Sequence, residues 1–97
     1  MAFCTVLEWD NDFPFDRYQE LNKRAGDHEE LPEGCLVRIV GPVEQGARII
    51  EVWHSDEDAR LFSEKNTHLI AEMEIPPPAR FAAFEANIFQ ARETEVS

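Results

Sequence analysis

The stretch ARIIEVWHSDEDARLFSEKNTHLIAEM, Ala47 to Met73, decides the architecture of this chain. Its opening, Ala47 to His54, is rich in β-branched and aromatic residues and reads as a strand. Ser55-Asp-Glu-Asp58 breaks that strand and starts a helix. Ser55 is a strong N-cap, Asp58 three residues on imitates a capping box, and three acids sit on the positive end of the helix dipole. Ala59, Phe62, Asn66, Leu69 and Met73 then recur at helical spacing, which predicts an amphipathic helix that buries this stripe.

Upstream, Glu44-Gln-Gly46 is a short turn whose glycine is expected to supply a positive φ. It joins a strand over Cys35 to Val43 to the one at Ala47, so the two form a hairpin. Asp27 to Gly34 is an acidic loop. Before it, Phe15, Tyr18, Leu21, Asn22 and Ala25 fall at helical spacing, with Pro14 in the first turn and Gly26 as C-cap. Ala2 to Trp9 is a strand ended by Asp10-Asn-Asp12. Downstream, Pro76-Pro-Pro78 stops the second helix, a last strand runs from Arg80 to about Ala91, and residues 92–97 form a charged tail expected to fray. The order strand, helix, strand, strand, helix, strand specifies an α+β fold: a four-stranded antiparallel sheet with both helices on one face. The 97 residues make one domain.

Twenty acidic against nine basic residues give a formal net charge of −11. That balance argues against nucleic acid and against an anionic membrane surface, and no Lys/Arg cluster offsets it. No segment approaches the ~20 apolar residues of a membrane span, nothing resembles an export signal, and a cytoplasmic location is expected. Cys4 and Cys35, both in strands, read as reduced, buried thiols.

Strand alternation sorts the residues into two faces. The more uniformly apolar set, Phe3, Thr5, Leu7 and Trp9 with Val37, Ile39, Ile50, Val52, His54, Ala82 and Phe84, is expected to face the helices. The mixed set includes Arg38, Ile49, Glu51, Trp53 and Glu85 and is expected to lie on the bare face. It is too apolar for water, which predicts a homodimer, sheet against sheet, with Arg38 pairing the carboxylates.

The words IIEVWHSDEDARLF (49–62) and IPPP (75–78) resemble those of the dimeric α/β-barrel proteins, more narrowly small members related to the antibiotic biosynthesis monooxygenases. The resemblance spans the whole chain in element order and about a third of it in recognisable words. It implies a ferredoxin-like βαββαβ fold that pairs into a dimeric α/β barrel. It also implies a cofactor-independent monooxygenase, isomerase or cyclase acting on an aromatic or polyketide-like substrate between sheet and helices. Haem-degrading relatives carry a ligand histidine in a context that neither His28 nor His68 reproduces, and no cofactor is expected.

His54, at the end of a strand, has a pKa suited to a general base. The competing reading is a histidine that bonds nearby backbone or faces water. Asn66 on the buried stripe would stabilise an oxyanion, as polar side chains do in the monooxygenases; a structural hydrogen bond is the alternative. Tyr18, Trp9, Thr5 and Phe62 would line the substrate cavity for a small hydrophobic or aromatic ligand, or simply belong to the core. Metal-ligand spacing and phosphate-binding glycines are both missing from the sequence. The alternative function is a non-catalytic homodimeric binding or accessory protein whose cavity is filled by its own side chains.

Overall fold

The computed structural model describes residues 2–26, 30–90 and 92. Six elements follow the predicted order: β1 (Phe3–Trp9), α1 (Phe15–Ala25), β2 (Cys35–Val43), β3 (Gly46–Trp53), α2 (Asp56–Glu72) and β4 (Arg80–Glu85). The strands form one antiparallel sheet in the order β2-β3-β1-β4. This is the ferredoxin-like arrangement. β4 stops at Glu85, short of the expected Ala91. It is an edge strand whose neighbour begins at Phe3, and the bond from Ala86 N–H to Ala2 C=O, 2.7 Å, is the last that β1's end can support.

The caps form as the residue types dictate. Ser55 Oγ accepts from the Asp58 N–H at 3.2 Å and its hydroxyl donates to Asp58 Oδ2 at 3.1 Å. Gly26 ends α1 in the left-handed region at φ 82°, its N–H turned back on the carbonyls of Asn22 and Lys23. Ser55→Ala is expected to cost about 1 kcal/mol in urea unfolding, the usual value of an N-cap. An unchanged midpoint would show that tertiary packing alone holds the start of α2.

In the β2–β3 hairpin Val43 pairs with Gly46 across Glu44-Gln45. Positive φ falls on Glu44 (52°) and not on the glycine. Gly46 is required for another reason: a Cβ there would collide with the Trp9 carbonyl of the neighbouring strand.

The register corrects the predicted faces. Thr5 opposes Glu51, Leu7 opposes Ile49 and Val6 opposes Ile50, while Arg38 opposes Glu51 and Leu7 opposes Phe81. Directly opposed residues share a face. Arg38, Ile49, Glu51 and Trp53 therefore lie under the helices with Thr5, Leu7 and Trp9, and they are not available to a sheet-to-sheet interface. Glu85, opposite Phe3 on the edge strand, shares that side and is exposed. The bare face carries Cys4, Val6, Val37, Ile39, Ile50, Val52, Ala82 and Phe84. Uniform apolarity misleads because the one charged pair on the helix side neutralises itself, and a buried pair is tolerated where a lone charge is not.

The buried hydrophobic cluster, Trp9, Phe13, Ala47 and Ile49, lies at one end of the sheet. Phe13 sits on Trp9, Phe15 and Tyr18 with ring centroids 4.7, 4.8 and 5.5 Å apart. Cys35 is buried and Cys4 half-buried, and both are free thiols. Among the described residues no helix is long and apolar enough to cross a membrane.

Candidate functional site: a cavity between sheet and helices

The helices do not fill the space above the sheet. A cavity of about 300 Å³ remains there. Leu7, Trp9 and Ile49 rise from the strands, Tyr18, Leu21 and Asn22 descend from α1, and Phe62, Asn66 and Ile70 from α2. The segment after α2, Ile75 to Pro78, closes one end. Trp9 Nε1 donates to the Pro76 carbonyl at 2.8 Å and holds that proline wall in place.

The walls are mostly apolar, and their charged groups lie in the sheet. Arg38 Nε donates to Glu51 Oε2 at 2.8 Å, with side chains only 9% and 11% exposed. The Phe62 ring stacks over the guanidinium, 5.5 Å from its carbon to the ring centroid. Burial works against the Arg38 charge, but the neighbouring Tyr18 and Glu51 hold its pKa above the ordinary value. Burial pushes the Tyr18 phenol up, against an opposing pull from Arg38, so it is a neutral hydroxyl at neutral pH. The Asn22 side chain stands in hydrogen-bonding reach of the Tyr18 phenol, and its Oδ1 is buried at the cavity wall with no hydrogen-bond partner.

Of the residues singled out in the sequence, Trp9, Tyr18, Phe62 and Asn66 all line this cavity. The Asn66 amide donates to the Phe62 carbonyl one turn back, at 3.0 Å, so its N–H is engaged within α2. Thr5 lines an adjoining compartment further along the sheet. His54 does not reach the cavity. β3 ends at Trp53, so His54 occupies the bend that follows, its side chain 79% exposed and Nδ1 3.8 Å from Asp58 Oδ2. His68 is on the solvated side of α2, and His28 lies outside the described residues.

The sequence reading puts Arg38 and Glu51 at a dimer interface and gives Asn22 no role, whereas all three line the cavity. The three-residue turn expected over Glu44 to Gly46 would set Arg38 opposite Val52; the hairpin closes over Glu44-Gln45 instead and sets Arg38 opposite Glu51. Asn22 sits on the apolar stripe of α1 and looked like a helix position without a role. Among the described residues no group of three or more His, Cys, Asp or Glu is placed to hold a metal ion.

The sequence matches no protein-family model and no curated protein. Solved structures do match its fold. One is a protein of Chloroflexus aurantiacus J-10-fl assigned as an antibiotic biosynthesis monooxygenase: TM-score 0.64, 17% identity, covering 94% of this chain and 98% of that one. Another is a monooxygenase of Streptomyces coelicolor, from the gene ActVA-Orf6, in complex with nanaomycin D: TM-score 0.59, 13% identity, covering 95% and 93%. A variant of MhuD of Mycobacterium tuberculosis, with two manganese protoporphyrin IX molecules per active site, gives TM-score 0.53 at 19% identity, covering 95% and 100%. The chain thus has the ferredoxin-like α+β fold that these proteins share, over nearly its whole length.

Proposed function

We propose that the protein is a small-molecule enzyme, a cofactor-independent monooxygenase, isomerase or cyclase that takes an aromatic or polyketide-like substrate into the cavity between sheet and helices. The observation that carries this reading is the buried Arg38–Glu51 pair in an otherwise apolar cavity of about 300 Å³, the lower end of ligand-site volumes. Apolar walls take the ring system by burial. Arg38 donates to a phenol or enol oxygen and stabilises it as negative charge develops, while Glu51 holds the guanidinium in place. Asn22 Oδ1 accepts from a substrate hydroxyl. Likeness in fold to the monooxygenase solved with nanaomycin D supports this reading.

The homodimer belongs to the same proposal. A second copy covers the bare face, where Ile39 and Phe84 are 56% and 52% exposed beside Val6, Ile50 and Val52. Exposed apolar residues gathered on one face mark an interface.

A second reading, a non-catalytic binding or accessory dimer, is favoured by one observation. His54 is outside the cavity, and the cavity's carboxylate is bound to Arg38. Among the described residues no carboxylate or imidazole other than Glu51 lines the space.

The test is calorimetric titration with 1-naphthol and with naphthalene, which lacks the hydroxyl. Wild type should prefer 1-naphthol by about tenfold, the worth of one hydrogen bond to a charged group. The double variant Arg38→Met/Glu51→Leu, which leaves no lone charge behind, should erase the preference. If neither compound binds, the cavity is not a ligand site. Conversion of bound 1-naphthol, followed as dioxygen uptake or a new product, supports the enzyme; binding without conversion favours the accessory reading.

A further inference from the structure

The sheet side beneath the helices holds a second compartment, of about 520 Å³, on the half formed by β1 and β4. Its walls are Phe3, Thr5, Trp53, Phe81 and Ala83 from the strands and the α2 flank at Ala59. Leu7, Glu51, Phe62 and Ile70 line both compartments, so the two adjoin and Phe62 stands between them.

Two lining residues of the second compartment carry polar atoms that lack a partner. Thr5 Oγ1 and Trp53 Nε1 are closed off from water, and neither makes a hydrogen bond. Unpaired buried donors are rare and costly in folded proteins. Trp53 is nearly fully buried and its indole ring packs on Phe62, centroids 5.2 Å apart. The other indole, Trp9, already donates to the Pro76 carbonyl. One tryptophan per compartment is thus bonded in the first and unbonded in the second.

We infer that the two compartments form one binding cleft for an elongated planar ligand, with its acidic oxygen at Arg38 and a carbonyl at the Thr5–Trp53 end. This rests on the cavity reading above and extends it to a second subsite. Phe62, which packs on Trp53, yields as the ligand passes beneath it and so uncovers the Thr5 hydroxyl and the Trp53 indole N–H, which then donate to the carbonyl. Phe81 and Ala83 on the exposed edge strand supply the flat wall at that end.

Proton–nitrogen NMR of the two indole N–H groups separates the possibilities, with 1-naphthol and the three-ring 1,8-dihydroxyanthraquinone as probes. The naphthol should move the Trp9 signal and leave Trp53 in place. The anthraquinone should move both, with Trp53 shifting downfield as its N–H gains an acceptor. Thr5→Val, nearly isosteric, should weaken the anthraquinone about tenfold and leave 1-naphthol unchanged. Ala83→Phe, which fills the outer compartment from an exposed strand, should do the same. If the anthraquinone moves only Trp9, or neither variant discriminates between the probes, the second subsite is wrong and the first survives. If no signal moves with either probe, both fall together.

Discussion

Glu51→Ala is expected to lower stability by roughly 3–5 kcal/mol, the cost of leaving one member of a buried ion pair without its partner. Arg38 would then keep its charge between the sheet, Phe62 and Tyr18, with no other carboxylate paired to it among the described residues and little access to water. A small domain has about 5–15 kcal/mol in all, so the loss would be visible as a large drop in the urea midpoint. The control is the double variant Arg38→Met/Glu51→Leu. It removes both charges and fills similar volume with apolar atoms, and it should be neutral or more stable than wild type. If single and double variants are equally destabilised, the loss comes from packing and the pair is not the organising feature of the cavity. A stable double variant that no longer distinguishes 1-naphthol from naphthalene would show why a costly pair sits there: its benefit would lie in ligand recognition.

Ile39→Glu is expected to convert a dimer into a monomer. Wild type should sediment near twice the 11.2 kDa chain mass and the variant near the chain mass itself. Ile39 is already more than half exposed in a single chain, so the carboxylate costs the isolated fold little. In the dimer it is introduced twice, onto a face formed by Val6, Val37, Ile50, Val52 and Phe84, where desolvating each carboxylate costs several kcal/mol. Association should weaken on the order of 10³-fold or more, given 1.4 kcal/mol per tenfold. The rim of that face is already charged and paired: Glu8 accepts from Arg48 at 2.9 Å and from Arg80 at 3.3 Å, and Arg80 also binds Asp10. The hydrogen bond from Arg48, foremost, holds the Glu8 carboxyl below its ordinary pKa. A wild-type protein that sediments as a monomer at micromolar concentration would end the proposal for this face.

Local sequence determined the parts of the protein that depend on neighbours along the chain. Ser55 and the acids after it had to start a helix, Gly26 had to end one, and alternation along the hairpin put Arg38 with Glu51 on one face and Ile39 with Ile50 on the other. The relative phase of β2 and β3 was therefore legible, and apolar alternation put Ala82 and Phe84 of β4 with Ile50 and Val52 as well. The phase of β1 was not, because β1 reaches β3 through a helix, a loop and a hairpin. No short-range geometry relates Leu7 to Ile49 over Ile50, and a one-residue slip moves a whole strand's side chains to the other face. With β1 in its true phase, the ion pair goes under the helices and the apolar set goes outside. Tertiary structure alone decided that inversion. It also decided that His54, one residue past β3, faces water while Asn22 on α1 faces the cavity, since the cavity is the volume that two helices and a sheet fail to fill.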